Sequence, residues 1–238
     1  MENPKIKVTI LRAGETIEVI VNAVLLAVGR QPNVLGLDLE KANVAYSEAD
    51  GVQVNNQLRT TNANIYAAGD CATKLQFTHH SDVMARTVVY NAILMKSIDI
   101  SKVALPWCTF TDPEIATVGK TEQQLKEEGV LYTVYKRDLK QVDRAICDGV
   151  KDGFVKVLTV QGKPTILGAT FVGGPAGDMI SQITMGMSTG LDLSKTGAGV
   201  SPYPSYADAI KNLTDQFNRT KLTPFVSGLL KKIVNLRR

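Results

Sequence analysis

The chain has 238 residues, 44% hydrophobic and 21% charged, with a net charge of +4 at pH 7. This composition is typical of a soluble globular protein with a sizeable core, and it excludes a disordered chain. No apolar run is long enough to cross a bilayer, and we expect no secretory leader after Met1. The three cysteines are far apart in sequence, which excludes a disulfide scaffold, a CxxC pair and a zinc cluster within this chain. We therefore expect a reducing, cytoplasmic setting.

The first thirty residues predict three strands. Alternating apolar residues over 6–10 and 17–21 predict two strands joined by a turn. The continuous apolar run 23–28 predicts a third strand covered on both faces, ended by the turn residues at 29–33. Three strands cannot cover both faces of the third one. We therefore expect this segment to be the end of a domain whose beginning is absent.

The next segment predicts an α/β crossover element. Residues 34–63 are loop-rich, with a short strand near 52–54, and residues 64–68 predict a second buried strand that ends at Gly69-Asp70. A helix over about 80–97 follows. The apolar face predicted for this helix consists of Val83, Ala85, Val88, Val89, Ala92, Ile93 and Met95.

From residue 104 the pattern predicts an α+β unit with its own core. The predicted strands cover 107–111, 115–118, 131–138, 153–160 and 165–172. The predicted helices include one opened by a Thr121–Gln124 capping box and ended by Gly129, and two more over 176–189 and about 205–218.

The chain ends in a predicted amphipathic helix with a basic character. Thr223 caps it and Pro224 occupies its first position. Its apolar stripe consists of Leu222, Phe225, Val226, Leu229, Leu230, Ile233 and Val234. We expect this stripe to pack on a partner or on the body of the protein, with an anionic membrane surface as a less favoured alternative.

The charge of the chain is concentrated in this tail. No acid follows Asp215, whereas six basic residues do: Arg219, Lys221, Lys231, Lys232, Arg237 and Arg238. They contribute +6 to the total of +4, so residues 1–218 carry −2. A near-neutral body with a basic tail lacks the broad basic face, interleaved with aromatic residues, that nucleic-acid binding needs. We therefore expect no nucleic-acid partner.

The Gly69-Asp70 turn carries the most specific chemistry. A glycine at a strand end lets a ligand approach the backbone closely, and an aspartate there can accept hydrogen bonds from vicinal hydroxyls. The N-terminus of the following helix adds free amides and the positive end of its dipole. A lone Gly-Asp pair is explained at least as well by an aspartate that caps a helix. The turn alone therefore assigns no ligand.

Two longer stretches resemble the FAD-dependent pyridine nucleotide-disulfide oxidoreductases. They are residues 28–33, Val-Gly-Arg-Gln-Pro-Asn, and residues 60–70, Thr-Thr-Asn-Ala-Asn-Ile-Tyr-Ala-Ala-Gly-Asp. The region after Trp107, with Phe-Thr-Asp-Pro-Glu at 110–114, is similar to the dimerisation domain of that family. The resemblance implies the end of an NAD(P)-binding domain (1–30) and the C-terminal part of an FAD-binding domain (31–103). These α/β remnants would precede an α+β dimerisation domain with an antiparallel sheet (104–238), through which the chain would form a homodimer.

The same resemblance implies roles for individual residues and two cofactors, FAD and NAD(P)H. Asp70, presented by Gly69, would bind the ribityl chain of FAD. Residues Gln76, Phe77, Thr78 and His79 would lie against the pyrimidine end of the flavin ring. Gly29 would lie beside the nicotinamide cofactor. The resemblance implies no metal ligands.

One motif departs from the family pattern. Dithiol members carry His-Pro-Thr-x-x-Glu, whose histidine is the acid/base, whereas residues 203–208 here are Tyr-Pro-Ser-Tyr-Ala-Asp. The implied catalytic positions are therefore Tyr203 and Asp208, although Tyr203 is equally consistent with a buried interface aromatic. Tyrosine, with a pKa of about 10, is a poor base, which disfavours dihydrolipoamide dehydrogenase or glutathione reductase activity. The tyrosine and residues 215–224 are similar to mercuric reductase, but the chain lacks its terminal cysteine pair.

Missing motifs limit what the chain can do by itself. It has no GxGxxG cradle and no closely spaced cysteine pair. We therefore expect a fragment that is inactive alone and binds FAD weakly at most. Its parent would pass electrons from NAD(P)H through FAD to a disulfide or a thiol-bound metal ion. The rival hypothesis is an association module in which only residues 104–238 fold and dimerise.

Overall fold

The computed structural model describes residues 5–237, which form two compact units, one ending at Lys96 and the other beginning at Ser97. The first unit contains two small antiparallel hairpins, β1 (Ile6–Arg12) with β2 (Glu15–Val21) and β3 (Tyr46–Ser47) with β4 (Gly51–Val52). A 3₁₀ helix (Leu39–Ala42) precedes β3, and helix α1 (Thr78–Ala92) follows the second hairpin.

The two buried strands expected in this unit do not form. Residues 23–28 have no regular secondary structure, and Leu25 and Val28 are 88% and 96% exposed. Residues 64–68 are half-buried or exposed and make one isolated bridge, between Arg59 and Tyr66. A regular strand needs a hydrogen-bonded neighbour along its length. Within residues 5–96 the run 23–28 has no such neighbour. The run 64–68 pairs with residues 58–60 through two backbone hydrogen bonds, Thr60 N–H to the Ile65 carbonyl and Ala67 N–H to the Leu58 carbonyl, which are too few for a regular strand. Both strand predictions were therefore wrong.

Helix α1 buries a different face from the one that its apolar residues predict. Its buried residues are His80, Met84, Thr87 and Asn91, whereas Val89 and Ile93 are exposed. Asn91 is accommodated on the inner face because its side-chain amide donates to the Gln57 carbonyl over 3.1 Å. Hydrophobicity alone cannot identify an inner face that contains satisfied polar side chains.

The second unit is built on a five-stranded antiparallel sheet. Its strands are β5 (Pro106–Thr109), β6 (Ile115–Gly119), β7 (Tyr132–Asp138), β8 (Phe154–Val160) and β9 (Ile166–Val172), in the order β5-β6-β9-β8-β7. All neighbouring strands are antiparallel, as the resemblance to the dimerisation domain implies.

Six α-helices complete this unit. They are α2 (Glu122–Glu127), α3 (Asp143–Cys147), α4 (Ala176–Thr189), α5 (Leu193–Thr196), α6 (Asp208–Thr220) and α7 (Pro224–Leu236). The predicted capping box of α2 is present, and Thr223 caps α7 with Pro224 at its first position. The unit also has two 3₁₀ turns: Ile100–Lys102 precedes β5, and Leu139–Gln141 lies between β7 and α3. No helix within residues 5–237 is long and apolar enough to span a membrane.

The core of the second unit lies between one face of the sheet and two long helices. Helix α4 packs on β6 and β9, and α6 packs on β7 and β8. Fully buried residues of this core include Val118, Phe171, Ile183, Ile210 and Leu213. Tyr135 of the sheet meets Phe217 of α6 edge to face, with ring centroids 6.0 Å apart. This core holds the 203–208 loop at the start of α6.

Candidate functional site

The Gly69-Asp70 turn presents a carboxylate to solvent. Gly69 is buried with φ of 83°, a conformation that favours glycine. The Asp70 side chain is 46% exposed, and its Oδ2 lies 3.6 Å from a guanidinium nitrogen of Arg30. Its Oδ1 accepts a long hydrogen bond, 3.4 Å, from Ser81 Oγ of α1. Both contacts are long, so the carboxylate retains capacity to accept hydrogen bonds from a ligand.

The β3–β4 hairpin fixes the backbone immediately after Asp70. The Val52 amide donates to the Cys71 carbonyl over 2.7 Å. Gly51 has φ of 85°, and a Cβ atom there would fall well inside van der Waals contact of the same carbonyl oxygen. The position of the Asp70 turn therefore depends on a glycine that is distant in sequence.

The N-terminus of α1 lies next to the Asp70 turn. The Gln76 side-chain amide donates to the Asp70 carbonyl over 3.3 Å, which folds the 71–77 loop back on the turn. Phe77 is the N-cap residue, makes no side-chain capping bond, and no acidic residue occupies the first turn. Its ring stacks on His79 with centroids 5.4 Å apart. This helix end therefore carries a positive dipole that no acid of its first turn neutralises.

The structure brings most of the predicted cofactor-binding residues into one cluster. Gly69, Asp70 and the segment Gln76, Phe77, Thr78 and His79 are adjacent through the contacts above. Gly29 is exposed, has open space around its Cα atom, and adjoins the cluster through the Arg30–Asp70 pair. Sequence reasoning missed Arg30 and Ser81. Arg30 stands within the 28–33 motif, whereas no sequence signal marks Ser81.

The second candidate cluster lies on the second unit and contains Tyr203. Its side chain is 74% exposed, and its hydroxyl donates to Asp143 Oδ2 of α3 over 2.8 Å. Tyr206 donates in the same way to Asp148 Oδ2 over 3.0 Å, and Arg144 Nε donates to that oxygen over 2.9 Å. The two tyrosines therefore fasten the 203–206 loop to α3.

Asp208, the other predicted catalytic residue, begins α6. Its backbone carbonyl accepts a hydrogen bond from the Asn212 side chain over 2.7 Å. Within residues 5–237, the acid that accepts from the Tyr203 hydroxyl is Asp143 of α3, not Asp208. Sequence reasoning missed Asp143, because nothing in the chain marks a partner 60 residues away.

The electrostatics of this cluster keep both phenols protonated. The hydrogen bond to Asp143 raises the pKa of Tyr203 above its ordinary value, and the negative charge of Asp143 acts in the same direction. Burial is the main cause that raises the pKa of Tyr206, followed by its bond to Asp148. Tyr203 is therefore suited to donate a hydrogen bond and poorly suited to accept a proton.

Replacing Asp143 with Asn is expected to lower the pKa of Tyr203 towards its ordinary value. The amide removes the negative charge that disfavours the phenolate. Resonances of ¹³Cζ-labelled tyrosine, followed through an alkaline pH titration and assigned with Tyr203→Phe, measure the change. The pKa of Tyr206 serves as the internal control and should stay raised. An unchanged Tyr203 pKa in Asp143→Asn contradicts the assignment.

Comparisons with known proteins match both parts of the chain to one family. The model of the pyridine nucleotide-disulphide oxidoreductase domain matches residues 1–85, and that of the pyridine nucleotide-disulphide oxidoreductase dimerisation domain matches residues 105–214. Dihydrolipoyl dehydrogenase from Staphylococcus aureus is 32% identical over 203 residues, which are 85% of this chain and 43% of the relative. Mercuric reductase from Streptomyces lividans is 34% identical over 193 residues, 81% of this chain and 41% of the relative.

A solved structure agrees with these matches. The HOCl-induced flavoprotein disulfide reductase RclA from Escherichia coli superposes with a TM-score of 0.74 at 28% identity. The match covers 84% of this chain and 46% of RclA. The chain thus spans less than half the length of each of these relatives. Dihydrolipoyl dehydrogenase and mercuric reductase match this chain to a similar extent, with 32% and 34% identity.

Proposed function

We propose that this chain, which belongs to the pyridine nucleotide-disulphide oxidoreductase family, supplies part of an FAD site and a homodimer interface. The family consists of FAD-dependent enzymes that take electrons from NAD(P)H. The observation that carries the proposal is the half-exposed Asp70 carboxylate beside the uncapped N-terminus of α1.

The residues of this cluster fit a flavin dinucleotide. A ribityl chain presents several hydroxyl donors, and Asp70 offers a carboxylate whose present contacts are long. The N-terminal end of α1 favours negative charge nearby, and its first turn contains no acid that would oppose an anionic ligand. Asp70 would hold the ribityl chain, and residues 76–79 would lie against the pyrimidine end of the ring.

Bound FAD would supply the redox chemistry, since it accepts a hydride from NAD(P)H and passes electrons on. The tasks of this chain are binding and orientation. Asp70 accepts hydrogen bonds, the α1 end stabilises negative charge at the pyrimidine edge, and Gly29 leaves room for the nicotinamide cofactor. Arg30 restrains the Asp70 carboxylate from the side of Gly29.

For the electron acceptor, we favour a thiol-bound metal ion, as in mercuric reductase. Tyr203 stands where the dithiol enzymes of the family carry a histidine base, and Asp143 holds its pKa high. The single O–H proton of Tyr203 is already donated to Asp143, and a phenol held protonated in this way is a poor base for a dithiol. The second candidate acceptor is a disulfide, which would make the parent enzyme similar to dihydrolipoyl dehydrogenase. The 32% identity to that enzyme favours this candidate. For either acceptor, we propose a reducing, cytoplasmic setting.

We further propose that the 238-residue chain by itself does not catalyse the oxidation of NADPH. None of its three cysteines forms a closely spaced pair that could take electrons from a flavin. Purified chain mixed with FAD and NADPH should show no NADPH oxidation, measured at 340 nm, above that of free FAD. Protein-dependent oxidation of NADPH would overturn this part of the proposal.

The dimer interface is assigned to residues 104–238, which include the matched dimerisation domain. The second unit has a continuous core of its own, which also supports the rival hypothesis of an association module without catalysis. Sedimentation velocity of the chain with and without FAD distinguishes the two. A dimer that binds FAD supports the flavoprotein, a dimer that does not bind it supports the module, and a monomer contradicts both.

A further inference from the structure

The C-terminal helix α7 leaves its apolar face uncovered. None of the residues of α7 is buried, and Phe225 at its start is 80% exposed. Val226 is half-buried, and the remaining apolar residues of the helix are about half exposed or more: Leu229, Leu230, Ile233, Val234 and Leu236. A contiguous apolar surface of this kind marks a site of interaction with a partner or a membrane.

The distribution of residues around α7 separates an apolar half from a basic one. At 100° per residue, the apolar side chains between Phe225 and Val234 cover an arc of about 180°. Lys231 and Lys232 project on either side of the opposite, polar half, together with Ser227 and Asn235. An apolar arc this wide exceeds the narrow seam of a coiled coil. It is typical of a helix that lies in the plane of a membrane surface.

The charge of the tail selects an anionic partner. No acid follows Asp215, whereas Lys231, Lys232 and Arg237 lie on or directly after α7. A symmetric pair of α7 helices would bring these cations of both copies together without a single acid to neutralise them. A surface of acidic phospholipids offers both the apolar phase and the negative charge, and lysines beside an apolar face can extend to the headgroups.

We propose that α7 docks on membranes that contain anionic phospholipids. Its apolar face inserts between the acyl chains, and Lys231 and Lys232 contact the lipid phosphates. This inference is independent of the proposed flavin site, because it rests only on the tail of the chain. Helix α7 also lies outside residues 105–214, the part that matches the dimerisation domain, so it can bind a membrane while that part forms the dimer. Anchoring would be reversible and sensitive to salt, since a single short helix with few charges provides it.

Flotation of the full chain with vesicles tests the proposal, because bound protein rises with the lipid while aggregates sink. We expect the chain to float with vesicles of phosphatidylcholine and phosphatidylglycerol, and not with phosphatidylcholine alone. The charge variant Lys231→Glu/Lys232→Glu should bind about tenfold more weakly or worse. The apolar variant Leu229→Ser/Ile233→Ser should not float.

Matched controls distinguish a specific effect of α7 from the effects of net charge and of exposed apolar residues elsewhere on the protein. Lys151→Glu/Lys163→Glu makes the same change in net charge at exposed sites of the same unit, and Leu131→Ser removes an exposed apolar residue there. Both should float like the unaltered chain. Equal flotation with neutral vesicles, or none with anionic ones, overturns the proposal. So does a result in which the α7 variants abolish dimerisation in sedimentation velocity but leave flotation unchanged, because α7 would then contact a second copy.

Discussion

Replacing Asp70 with Asn should weaken FAD binding to this chain by about ten- to a hundredfold. Hydrogen bonds to a charged group contribute about 1.5–3 kcal/mol, and the amide both loses the charge and turns one acceptor into a donor. The effect should be large because Asp70 is the acid of the cluster that contacts both the 28–33 motif, through Arg30, and helix α1, through Ser81. Titration of FAD with the chain, followed by quenching of flavin fluorescence, measures the affinity.

Asp82→Asn is the matched control for this substitution. Asp82 is also exposed, lies on α1 and pairs with Arg86 at 2.9 Å. The substitution Asp82→Asn removes the same charge as Asp70→Asn but does not alter the Gly69-Asp70 turn. An exposed ion pair contributes well under about 1 kcal/mol, so we expect the FAD affinity to change by less than about threefold. Equal losses in the two variants would assign the effect to net charge. An unchanged affinity in Asp70→Asn, or no FAD binding by the unaltered chain, would contradict the proposed role of Asp70.

Replacing Gly51 with Ala should destabilise the first unit by about 2–5 kcal/mol and disrupt the FAD site as well. The left-handed backbone of Gly51 costs a residue with a Cβ atom about 1–2 kcal/mol. The new methyl group would also displace the Cys71 carbonyl, which breaks the Val52–Cys71 hydrogen bond and leaves buried groups unsatisfied, at about 1–3 kcal/mol. Native-state hydrogen exchange of the first unit measures the loss, and the flavin titration measures its effect on the site.

Gly36→Ala separates the backbone conformation from the steric clash. Gly36 has φ of 76°, close to that of Gly51, but nothing lies within 4 Å of the position that its Cβ atom would take. We expect a loss of about 1–2 kcal/mol and unchanged FAD affinity. If the two variants were equally destabilised, the clash with Cys71 would not be what makes Gly51 necessary.

The second unit was predicted closely because its signals are local. Its strands alternate apolar and polar residues, and the ends of two of its helices are marked by Thr121 and Gly129 for α2 and by Thr223 for α7. In an antiparallel sheet each strand can pair with neighbours that the same unit supplies. The five strand predictions therefore held to within a few residues.

The first unit was predicted less well because its structure depends on neighbours. The apolar run 23–28 has the composition of a buried strand, yet Leu25 and Val28 are almost fully exposed. In α1, apolar content favoured Val89 and Ile93, whereas packing buried Thr87 and Asn91. Composition reports how apolar a segment is, but pairing and burial depend on what lies beside it.

The sequence by itself determined the Gly-Asp turn, the helix after it, the strands and long helices of the second unit and the basic amphipathic tail, because each is encoded in residues that are close along the chain. Only the tertiary structure decided that Arg30 and Ser81 flank the Asp70 carboxylate, that Gly51 supports the turn, and that Asp143 holds the Tyr203 hydroxyl. These contacts join residues far apart in sequence, and no local pattern of propensity or spacing specifies them.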